Sequence, residues 1–199
     1  MKKILKLIGI GLLLGVVYYV WHVNFNYRFE EISKDKVYKS GLIKNKNTME
    51  RLLVNNHIKT VIDLLDPGVQ DRLNPAKQIQ IDTEDRYIKE INRDHNLSIK
   101  HVNIPSGQVP TPETLQKFFK VLDDNTSYPV LIHCYHGTGR AQMYSALYRI
   151  EYEGWSDKDA RAKTRVIVEG FGYRSSFADG KSKGDYLMHY KSRAEKKKR

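Results

Sequence analysis

Cysteine occurs once in the 199 residues, at Cys134. An intrachain disulfide is therefore impossible, and a closed multi-cysteine zinc site is excluded. Acidic residues are scarce, 23 against 34 Lys and Arg, which leaves a formal charge of +11. The excess gathers at the end, where Lys191, Arg193, Lys196, Lys197, Lys198 and Arg199 face only Glu195. Such a run reads as a solvated tail, or as one that meets an anionic surface. Elsewhere the basic residues are scattered and form no recognition motif, so no nucleic-acid partner is expected. Internal repeats are absent. With 6 prolines, 13 glycines and 40% hydrophobic residues, the chain is too apolar for wholesale disorder and long enough for about one domain.

Charge is also missing from Leu7 to Val23, LIGIGLLLGVVYYVWHV, a stretch of 17 residues. A helix needs roughly 17–25 residues to cross a bilayer, so this segment suffices if Lys6 reaches back to the interface. Tyr18, Tyr19 and Trp21 suit the interfacial belt at its far end. A small-residue cleavage site is lacking, which favours an uncleaved anchor over a signal peptide. The expected organisation is an anchor over residues 1–27, a catalytic domain over 28–190 and a basic tail over 191–199.

Downstream, Val37-Tyr38-Lys39-Ser40-Gly41 reads as a short strand, with Thr48 as a possible cap for the helix carrying Leu52 and Leu53. The apolar run from Lys59 to Leu65 predicts a strand buried on both faces. Asp66-Pro67-Gly68 stops it, and Asn74-Pro75 marks a loop before a helix with Tyr87, Ile88 and Ile91 on its apolar face. Ser98 to Ile104 and Pro129 to His133 are further strands. Between them Thr111-Pro112-Glu113 starts a helix. A helix from Ala141 to Tyr152 ends at Gly154, and Ser156 with Asp159 resembles a capping box. Alternating strands and helices predict an α/β fold with a mostly parallel sheet flanked by helices on both faces.

The chemistry concentrates in Val130-Leu131-Ile132-His133-Cys134-Tyr135-His136-Gly137-Thr138-Gly139-Arg140, a strand, a cysteine, a glycine-bearing loop and a helix start. Backbone N–H groups of Tyr135 to Gly139 converging at a helix N-terminus would form an anion site suited to phosphate. Gly137 and Gly139 permit the tight turn. Arg140 has the planar fork that grips two phosphate oxygens, and the same positive field favours the Cys134 thiolate. His133 is expected to support the loop by hydrogen-bonding nearby backbone. His133, Cys134 and His136 stand too close in sequence to face one ion together, so no metal is expected here.

His133-Cys134-x-x-Gly137-x-x-Arg140 resembles the HCxxGxxR motif of the protein tyrosine phosphatase superfamily. Because the loop follows several strands, the dual-specificity branch is the closer match, and the resemblance runs over roughly residues 36–170. It implies a cysteine-phosphatase fold and a two-step mechanism in which Cys134 takes the phosphoryl group and water releases it. It implies neither metal nor organic cofactor. The substrate would be a phosphoprotein, a phospholipid or an inositol phosphate.

Two parts of the family pattern are missing. Members usually carry an aspartate upstream of the nucleophile to protonate the leaving oxygen, but Pro105-Ser106-Gly107-Gln108-Val109-Pro110 contains none. Asp66 and Glu113 are the nearest acidic residues, and Asp66, closing a strand on the catalytic side, is the better candidate. Members also carry a hydroxyl after the arginine, where this chain has Ala141. Thr138 could substitute. A catalytically impaired phosphate-binding module is the alternative reading. Three lysines precede the apolar segment and one arginine closely follows it, which places the amino terminus in the cytoplasm and, in a Gram-negative cell, the catalytic domain in the periplasm.

Overall fold

A computed structural model describes residues 2–68, 75–164 and 175–197. Helix α1 (Lys2–Asn24) carries the apolar segment. Residues 6–24 are long and apolar enough to cross a membrane, and none of that window is buried against protein.

The rest is organised around five strands. These are β1 (Glu30–Ser33), β2 (Val37–Gly41), β3 (Thr60–Asp63), β4 (Lys100–Asn103) and β5 (Val130–Cys134), in spatial order β1-β2-β5-β3-β4. Only the β1–β2 pair is antiparallel. The expected mostly parallel sheet is borne out, with edge strand β1 added. Its EEIS sequence lacks the continuous apolar run that marks a central strand.

Period-two alternation assigns neighbouring residues to opposite layers. Ile62 and Ile132 face a core with Phe118, Tyr144 and Leu147 from α4 (Pro112–Leu122) and α5 (Arg140–Tyr152). Val61 and Leu131 face the other core, with Leu52 and Leu53 from α2 (Lys46–Asn55) and Ile88 and Ile91 from α3 (Gln78–His95). Thr111 and Ser156 cap their helices as expected, Ser156 opening α6 (Asp157–Lys163). Asn45, not Thr48, caps α2, because Asn45 Oδ1 accepts the Thr48 N–H at 2.9 Å and the helix starts three residues earlier. Asn74 and residues 165–170 lie outside the described residues.

The C-terminal run is not wholly solvated. Beyond α7 (Ser182–Met188), Arg193 opens the short α8 (Arg193–Lys196). Its guanidinium pairs bidentately with Asp123 at 2.7 and 3.0 Å and reaches Glu151 at 3.0 Å, while lying over the Phe119 ring. Planar guanidinium geometry satisfies two carboxylates and an aromatic face at once, which sequence charge counting does not register.

Candidate active site

Strand β5 ends at Cys134 and α5 begins at Arg140, so the loop 135–139 turns within five residues at a helix N-terminus. The turn depends on Gly137, with φ +74°. A Cβ there would lie 2.6 Å from the Gly41 nitrogen and 2.7 Å from the Ser40 carbonyl carbon. Both the left-handed backbone and this contact with the end of β2 exclude a side chain. Gly139 is different, since its φ is −109° and the neighbour of its missing Cβ is the Lys183 ammonium, 3.1 Å away.

The loop closes over the sulfur. Cys134 Sγ is buried and accepts N–H groups from Gly137 at 3.3 Å and Ala141 at 3.5 Å. Arg140 is held from behind, with Nη1 donating to the Leu64 carbonyl at 2.6 Å and to the Ser106 carbonyl. Ser106 in turn hydrogen-bonds Tyr144 at 2.8 Å. A small cavity of about 190 Å³ opens in front, lined by Cys134, His136, Thr138, Gly139 and Arg140 of the loop and helix start. Gln108, Ser176 and Lys183 complete its described lining. Two larger depressions lie away from this loop, at Phe119–Tyr190 and at Leu53–Ile99.

The structure brings Cys134, Arg140, His136, Thr138 and Gly139 together. Tyr135 points aside to Leu42 and Leu65, under the Lys44 ammonium. Asp66 follows β3 and accepts the Gly68 N–H at 3.0 Å, and neither it nor Glu113, which pairs with Lys117 at 2.7 Å, is among the cavity's described lining. From the loop 105–110, which contains no aspartate, Gln108 reaches the cavity. Ala141 offers its backbone N–H to the sulfur but no hydroxyl.

Behind the loop lies a group of buried titratable side chains that the sequence reading passed over. His133 is fully buried with Nε2 3.0 Å from Glu84 and 3.6 Å from Asp63, so its partners are carboxylates of α3 and β3 where backbone was expected. His101 adds contacts at 3.7 Å to Glu84, 3.9 Å to Asp63 and 3.6 Å to Asp85. Asp63 also accepts the Leu65 N–H at 2.7 Å and the Asn103 amide at 3.0 Å. Burial pushes His133 down, but the Glu84 and Asp63 charges outweigh it and lift the imidazole to about 9. Burial pushes Glu84 up, yet His133 and His101 hold it at about 2. For Asp63 burial prevails over the His133 charge, and its pKa is raised. Among the described residues Asp63, Glu84 and His101 are the one group with ligand spacing for a metal, all within 4.8 Å. A signal existed in the sequence: buried Ile81, Glu84, Ile88 and Ile91 follow helical spacing, so Glu84 sits on the inward stripe.

Residues 28–177 match the family model described as a dual-specificity, protein tyrosine phosphatase-type phosphatase fused to NAD+ kinase. The chain belongs to this family. It is 30% identical over 107 residues to the dual specificity protein phosphatase TpbA of Pseudomonas aeruginosa strain UCBPP-PA14, covering 52% of this chain and 48% of that protein. The chain thus matches about half the length of its curated relatives. Among solved structures it resembles TpbA of P. aeruginosa, with TM-score 0.56, 20% identity, and coverage of 83% and 86% of the two chains. The catalytic core of the PP-IP phosphatase SIW14 from S. cerevisiae, in complex with citrate, gives TM-score 0.56 at 16% identity over 82% and 85%. At these identities the structural likeness establishes the fold, and it is the cysteine-phosphatase fold that the motif implied.

Proposed function

We propose that this chain is a membrane-anchored phosphatase that hydrolyses phosphate monoesters through a cysteinyl-phosphate on Cys134. The observation that carries the proposal is the sulfur at the base of a loop whose Gly137 and Ala141 N–H groups point at it, with Arg140 at the helix start. These donors stabilise negative charge on sulfur and on the phosphoryl oxygens that would sit above it. In the first step the thiolate attacks phosphorus, an S–P bond forms and the P–O bond to the leaving group breaks. In the second, water attacks phosphorus, the S–P bond breaks, and phosphate and the thiolate are released. The leaving oxygen needs a proton, and Asp66 can supply it if the Asp66-Pro67-Gly68 turn moves its carboxyl towards the cavity. Without that, proton transfer falls to water, which suits good leaving groups.

Phosphate release by the purified full chain in detergent, set beside Cys134→Ser, tests the reading. Activity retained by the variant overturns it. The second reading, a phosphate-binding module with little turnover, is favoured by Gln108 reaching the cavity from a loop that contains no aspartate. Phosphate binding without release would establish it. A related solved structure is of TpbA with phosphotyrosine and another is of a PP-IP phosphatase, so phosphoproteins and inositol phosphates are both substrate candidates here. With α1 across the inner membrane of a Gram-negative cell, the lysine bias puts the domain in the periplasm, and protease added to spheroplasts should digest it before lysis.

A further inference from the structure

Lys183 belongs to no part of the motif, yet it faces the same cavity as Cys134 and Arg140. The residue is only 8% exposed, and its ammonium rests against Gly139 of the catalytic loop and over the Phe177 ring at 5.7 Å. Its place is set by packing. Gly184 beside it lies so tightly against the Phe177 and Ala178 carbonyls that no Cβ fits. Arg161 of α6 fixes that same segment by donating to the Phe177 carbonyl at 2.8 Å and pairing with Asp179.

The loop N–H groups and Arg140 together match one phosphate. Lys183 arrives from a separate element and adds a second fixed cation to the same space. The cavity is about 190 Å³, below the roughly 300 Å³ where pockets for larger ligands begin, and no Phe, Tyr or Trp is in its described lining. Small, and lined by both the Arg140 and the Lys183 side chains, it suits compact anions.

Resting on the phosphatase reading of this site, we propose that Lys183 is a specificity-determining residue. It holds a second phosphate beside the one on Arg140, so the site prefers multiply phosphorylated compounds to simple monoesters. The test uses the full chain in detergent carrying Cys134→Ser, with inorganic phosphate and pyrophosphate as calorimetric probes. Pyrophosphate should bind at least about tenfold more tightly than phosphate, the scale of one charge-assisted contact. Adding Lys183→Met should erase that advantage, and Lys183→Arg should keep most of it. Equal affinities before any Lys183 change, or an advantage that survives Lys183→Met, would overturn the proposal, and so would equal weakening of both anions. Hydrolysis of an aryl phosphate by the chain with Cys134 intact is measured in parallel. Its failure strikes the phosphatase reading alone, because the binding comparison needs no turnover.

Discussion

The two sides of the catalytic loop are built differently. Behind it Asp63, Glu84, His101 and His133 form a buried cluster of acidic and imidazole side chains, whereas in front Gln108 and Thr138 meet the cavity with no described carboxylate. The contrast teaches that holding the loop in shape and supplying protons to a reaction are separate tasks. This chain has committed its buried acids to the first.

The sharpest way to probe the comparison is at the hinge between the sides. Arg140→Lys keeps the charge but loses the fork that meets the Leu64 and Ser106 carbonyls and, on the proposed mechanism, would grip phosphate. Catalytic efficiency should fall about 10²–10³-fold, in line with loss of a preorganised oxyanion donor. Steady-state kinetics checks it, and near-normal efficiency would undo the loop assignment.

Next comes the rear. Glu84→Gln strands the His133 charge, and breaking a buried pair from one side typically costs about 3–5 kcal/mol, read by denaturant unfolding. The pH dependence has a defined sign. His133 is raised from 6.5 to about 9, so its stabilisation is complete below 6.5 and fades as pH rises through about 9. Glu84 is lowered from 4.5 to about 2, so its stabilisation holds above 4.5 and is lost as pH falls through about 2. Melting temperature should therefore decline on the alkaline side, and Glu84→Gln should flatten that decline. A variant as stable as the parent across this range would mean the rear charges are idle.

The front should respond in the opposite direction. Gln108→Asp places a carboxyl on the cavity and should raise turnover of poor leaving groups by about tenfold, a fraction of the 10²–10⁴ that general acid help supplies. The gain should fade for aryl phosphates. The smallest effect is expected of Asp66→Asn, at most about twofold while the carboxyl stays turned to Gly68. A large loss, with one limb of the pH profile gone, would show that its turn moves in the working enzyme.

What was legible in the sequence follows from these forces. The strands around Val61-Ile62 and Leu131-Ile132 declare themselves because both faces are buried, and the loop does because sulfur, glycine and arginine stand at fixed spacing. Strand β1 was silent because an edge needs little apolar sequence. Glu84 was passed over because a carboxylate on an apolar stripe reads as an exception until its histidine partner, 49 residues away in the chain, is placed beside it. Lys183 carried no signal at all, since only tertiary packing brings α7 to the loop.

The junction between α1 and the sheet carries one further consequence. Tyr27 and Arg28 both have positive φ, 50° and 54°, a sharp turn that lets the Tyr27 carbonyl accept the Gly41 N–H at 2.7 Å. Arg28 Nη1 then donates to the His136 carbonyl in the catalytic loop at 3.1 Å. From Asn24, where α1 ends, to Arg28 is four residues, at most about 14 Å of extended chain. With α1 across a bilayer, the loop is confined to a thin slab at the membrane surface, and no slack in the chain lets it leave. Turnover would then follow how many phosphates occupy each unit of membrane area, and a phosphate held high above the surface on a folded protein would pass unread.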